Sequence, residues 1–145
     1  MSELSIKFDS SVPRGAREEI RALLAPYAAM LREEVRDVRV RLRGGDGADG
    51  SGEAQATSIT ATRYHVAYIA LDASFFALTD AEKAQVIAHE AVHVIHDGYA
   101  REVEHVIQHL ISEDARTYIF NRLSDAEERV VETIAYALYK ARGGV

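Results

Sequence analysis

The chain has 145 residues, 48% hydrophobic and 28% charged, the balance of a soluble globular protein. A formal net charge of -6 argues against broad nucleic-acid binding, which needs a basic surface. Cysteine is absent, which excludes disulfides, thiol catalysis and Cys-based zinc sites.

This length favours one domain, 1–145, around one core. The stretch "MSELSIKFDS" has no basic start followed by an apolar run, so no signal peptide is expected. No segment approaches the roughly 18 apolar residues that span a bilayer. With the lack of cysteine, these features lead to the expectation of a cytoplasmic protein with no membrane partner.

Leu4, Ile6 and Phe8 alternate with polar neighbours, which predicts a short strand. Ser10, Ser11 and Pro13 open a helical pattern in which Ile20, Leu23, Leu24, Tyr27, Ala28 and Leu31 recur out to about Glu34. Pro26 should kink or split that helix. Val38, Val40 and Leu42 alternate with Arg39, Arg41 and Arg43, a strand with one basic face. The glycine-rich segment 44–53, "GGDGADGSGE", predicts a mobile hairpin loop, and its Asp46, Asp49 and Glu53 lack the spacing of an EF-hand. "ATSITATRY" and "HVAYIALDASFF" predict two further strands, rich in Thr, Val, Ile and aromatic residues. From Thr79 onward the pattern is helical. Thr79 with Glu82, and Ser124 with Glu127, fit capping boxes that predict helix starts near 80 and 125. Asp97-Gly98 should end the first of these helices, and Val103, Val106, Ile107, Leu110 and Tyr118 mark another. The expected order is β-α-β-β-β-α-α-α, a single α+β domain.

On the first helix after Thr79 lies "HEAVH". His89 and His93 stand one turn apart on one face, where two imidazoles can close on a single cation. Glu90 occupies the general-base position of the H-E-x-x-H zinc-peptidase signature. Val86, Ile87, Val92, Val94 and Ile95 surround the motif, so the helix should be buried and its ligands partly desolvated. The strand from His65 to Leu71, directly before it, has the potential to be a sheet edge that binds a substrate backbone by strand addition. A second pair, His105 and His109, has Val106 where a base would stand and reads as structural.

A mixed sheet, a helix bearing "HEAVH" and a later helix bearing a glutamate resemble the zincin metallopeptidases, particularly the gluzincins. The metzincin branch is excluded, since His96 and Tyr99 stand where its signature requires glycine and histidine. Peptide deformylase is excluded by the absence of its cysteine ligand. Only a short segment follows "VVETIAYAL", so the chain resembles the single-domain minigluzincins. The resemblance implies a small mixed sheet packed on the kinked N-terminal helix and the motif helix, followed by two further helices. It also implies Zn2+ as cofactor, a peptide or protein as substrate, and Glu90 taking a proton from an attacking water.

A catalytic zinc takes three protein ligands and leaves the fourth position open. In gluzincins the third is a glutamate on a downstream helix, often followed three residues later by a small residue, and Glu132 with Ala135 matches. Helical geometry also favours Glu132, at the border of an expected stripe of Val131, Ile134, Ala135 and Leu138. Glu113, Glu128 and a histidine are the competitors. His96 lies one turn from His93, either supporting the ligands or merely close to them. Tyr99, Tyr118, Tyr136 and Tyr139 are candidates for supporting an oxyanion. Two rivals stand beside the peptidase: a non-catalytic zinc-binding domain acting in regulation or partner binding, and a metal-free helical domain whose histidines only form hydrogen bonds.

Overall fold

The computed structural model describes residues 4–43, 56–61 and 65–143. The glycine-rich segment 44–53, with Asp46, Asp49 and Glu53, lies outside them. The chain folds as a mixed α+β structure. Strand β1 (Ser5–Phe8) leads into helix α1 (Arg14–Leu24), a 3-10 turn (Ala25–Tyr27) and helix α2 (Ala28–Glu34). Strands β2 (Asp37–Leu42), β3 (Ala56–Ala61) and β4 (Val66–Leu71) follow, then a 3-10 turn (Ala73–Ala77), helix α3 (Asp80–Leu110) and helix α4 (Glu113–Ala141).

Pro26 lies in the turn that separates α1 from α2. Its ring nitrogen donates no hydrogen bond, which breaks the α-helical ladder there. The apolar line survives the break, because Ile20, Leu24, Tyr27 and Leu31 are all buried. The sheet runs β1-β2-β4-β3, with β1, β2 and β4 parallel and β3 antiparallel to β4. In β2, Val38 and Val40 are buried while Arg39 and Arg41 are exposed, as the period of two requires. The strand before the motif helix corrects the expectation of an edge. β4 lies inside the sheet, paired with β2 on one side and β3 on the other, and five of its six residues are buried. Among the described residues, the antiparallel edge is β3.

The start of α3 follows the prediction. The Thr79 side chain accepts from the Glu82 N–H at 3.3 Å, and the Glu82 carboxylate accepts from the Thr79 N–H at 2.8 Å, a complete capping box. These Thr79 donors hold the Glu82 carboxyl below the usual carboxylate range. The cap therefore contributes stability above the unfolded glutamate pKa of about 4.3 and loses it as pH falls through the lower folded value.

Two other boundaries differ from expectation. α3 passes through Asp97 and Gly98, and α4 through Ser124, so one long helix follows the motif helix instead of two. A glycine inside a helix costs about 1 kcal/mol relative to alanine, too little to end a helix with favourable packing. Asp97 spans the site by pairing with Arg101 one turn later at 2.7 Å. Gly98 itself lies against α2, where an added Cβ would come within 3.5 Å of the Glu34 carboxylate. The chain breaks instead at Ile111 and Ser112, both extended, where Ser112 stands before Glu113 and Asp114. Acidic residues in a first turn favour that N-terminus through the helix dipole.

One core joins the elements. Phe75, Leu71, Ile69, Ile20, Leu24 and Leu31 are among its fully buried members, with Ile87, Ala88, Ala91 and Val94 from α3 and Val131 and Ala135 from α4. The burial of Ile87, Val92 and Val94 follows the sequence reading; Val86 and Ile95 are half-buried.

Candidate metal centre

The motif sits in the first half of α3, with its apolar residues in the core and its histidines turned to α4. His89 and His93, one turn apart, have ring centroids 4.7 Å apart and Nε2 atoms 3.1 Å apart. Glu128 completes the group. Its Oε1 lies 3.2 Å from His93 Nε2 and its Oε2 lies 3.5 Å from His89 Nε2. Among the described residues, His89, His93 and Glu128 are the group placed to hold a metal ion, with ligand atoms all within 4.8 Å of one another.

The carboxylate beside the histidines is thus Glu128, and Glu132 lies one turn farther along α4, exposed. The rotation and register of α4 account for this. Its buried line is Val131, Ala135 and Tyr139, whereas Ile134, expected in the stripe, is 41% exposed. Counting back from Val131 and Ala135 by three and seven residues reaches Glu128, on the same face. Glu132 stands about 100° round from Val131. Glu113 occupies the first turn of α4, exposed and fifteen residues before Glu128.

The Nε2–Nε2 contact is close enough for one hydrogen bond, whose donor depends on the tautomers, and a metal ion is an alternative that all three side chains could share. Four ligands at 2.0–2.1 Å in a tetrahedron stand roughly 3.3 Å apart; here the two Nε2 atoms are 3.1 Å apart and Glu128 Oε1 is 3.2 Å from His93, while its other oxygen, Oε2, is the one 3.5 Å from His89. Two imidazoles and one carboxylate are also a donor set that suits zinc. The side chains of His89, His93 and Glu128 are 31%, 21% and 56% exposed, so the cluster opens to solvent on the Glu128 side.

Glu90 is 4% exposed and, with Lys83, forms the buried charged residues of the described chain. Lys83 pairs with Glu19 of α1 at 2.7 Å. Glu90 follows His89 directly, about 100° round the helix, and is not a member of the ligand triangle. His96 lies beyond His93 on nearly the same face. Its Nδ1 is 3.1 Å from Glu127 Oε1, and Tyr99 packs edge-on against its ring at 5.4 Å. Adjacent glutamates of α4 thus serve different histidines of α3. Of the other tyrosines, Tyr139 is buried, and Tyr118 and Tyr136 are exposed. His105 and His109 pack against each other at 4.1 Å on the exposed surface.

The sequence holds a signal for Glu128, its position three residues before Val131, but choosing between neighbouring turns required the register of α4 on α3. No known protein family, curated protein or solved structure matches this chain.

Proposed function

We propose that the chain is a small zinc-dependent metallopeptidase of the gluzincin type, resembling the minigluzincins, with His89, His93 and Glu128 holding the metal and Glu90 as general base. The observation that carries this reading is the closed triangle of two imidazoles and one carboxylate on an H-E-x-x-H helix. Zinc, when bound, supplies Lewis acidity that brings the pKa of water toward neutrality and polarises a peptide carbonyl. Glu90 accepts the proton from the attacking water and returns it to the leaving amine. The exposed side of Glu128 leaves room for the substrate.

β3 packs against α3 and, among the described residues, is paired only with β4. Its other edge suits an extended peptide, whose backbone would be held by strand addition with little sequence preference. A purely structural zinc site calls for no base beside its ligands, so a glutamate at position 90 of the H-E-x-x-H helix favours this reading over a non-catalytic zinc-binding domain. Among the described residues, no helix is long and apolar enough to cross a membrane.

The experiment is cleavage of an unstructured protein such as casein by the zinc-loaded chain. Cleavage that a chelator stops and added zinc restores is the expected result. A chain that holds zinc yet leaves casein and other unfolded proteins intact favours the non-catalytic domain.

A further inference from the structure

Beyond the metal ligands, α3 and α4 continue as a helical hairpin that departs from the core. Past Val94, Ile107 is the one buried residue of α3, and α4 has none before Val131. One side of this hairpin carries two apolar stripes, with His96, Glu104 and Glu127 among them. On α3, Tyr99, Val103, Val106 and Leu110 recur at the spacing of a single stripe, with Tyr99 68%, Val106 50% and Leu110 77% exposed. On α4, Leu123, Val130 and Ile134 form a matching stripe, 39%, 47% and 41% exposed. Between the stripes runs a groove of about 490 Å³, to which Tyr99, Val103, Leu123 and Val130 all contribute.

We infer that this face is where two copies of the chain associate, their hairpins forming a four-helix bundle. Area supports a second copy. The exposed stripes present on the order of 600 Å² of apolar surface, at the upper end of the largest patch on a typical monomer and approaching the ~800 Å² that each partner buries in a standard interface. Charge supports one arrangement. Exposed Glu102 lies along the α3 margin of the face, and exposed Arg122 and Arg129 along the α4 margin. A two-fold axis parallel to the hairpin sets α3 of each copy against α4 of the other, antiparallel, as in up-down bundles. His96 meets Glu127 across the hairpin, so Glu102, six residues on, is level with residue 121. The same axis preserves that level, which brings Glu102 of one copy to Arg122 of the second. Glu128, about 160° round α4 from Val130, stays outside the contact, so the inference is independent of the metal site.

Sedimentation velocity on the full chain across the micromolar range tests it. A concentration-dependent dimer is expected, with Leu110→Lys and Val130→Lys each weakening it at least about tenfold while circular dichroism shows unchanged helicity. Glu102→Arg should also weaken the dimer, and the double variant Glu102→Arg with Arg122→Glu should restore it. A wild-type chain that stays monomeric, whether inert or captured by phosphatidylcholine vesicles, overturns the inference. So does a dimer that survives both lysine substitutions.

Discussion

Glu90→Gln is expected to bind zinc as the unmutated chain does while losing hydrolysis by about 10²–10⁴-fold, the usual contribution of a positioned general base. The substitution keeps the size and shape of a side chain that is 4% exposed, so the surrounding packing is undisturbed. It removes the one property the mechanism needs, the ability to take a proton. Because Glu90 lies outside the triangle of His89, His93 and Glu128, the donor set survives intact. Parallel measurements of bound metal and casein cleavage read both consequences. Retained cleavage, with contaminating proteases excluded, contradicts the assigned mechanism. Lost zinc makes Glu90 a ligand or a structural support.

The second large effect separates two carboxylates one turn apart. Glu128→Ala should weaken zinc binding by more than the 10–100-fold typical of losing an outer-shell partner, because it removes a proposed direct ligand. Glu132→Ala should leave affinity unchanged, since Glu132 is exposed and outside the triangle. Glu113→Ala, in the first turn of α4, should do the same. Competition against a chromogenic chelator measures all three. A chain that keeps its zinc with Glu128→Ala and loses it with Glu132→Ala would place the ligand one turn along α4.

Local chemistry was legible wherever neighbours in sequence decide the outcome. The Thr79–Glu82 box, the alternation of Val38 and Val40 with arginines and the break at Pro26 are such cases, as is the common direction of His89 and His93. Outcomes that depend on distant partners were not. Gly98 has the look of a stop, yet α2 packs against it and the helix continues. Ser124 and Glu127 have capping-box spacing, but Glu127 turns to His96 across the hairpin instead of back to the Ser124 backbone. The order β1-β2-β4-β3 places β4 inside the sheet, and pairing order leaves no mark on the alternation of a single strand. The position of Glu128 beside the histidines belongs to the same class. Both candidate glutamates border the apolar stripe, and only the register of α4 against α3 selects between them.

The most direct test of the metal centre is the zinc content of the purified chain after equilibrium dialysis against trace zinc at neutral pH, read by elemental analysis beside His93→Ala. About one zinc per chain is expected, as three ligands with an open fourth position hold a single ion, and the variant should lose it. A chain carrying almost no zinc, or one whose zinc is unaffected by His93→Ala, contradicts the assignment and with it the proposed chemistry.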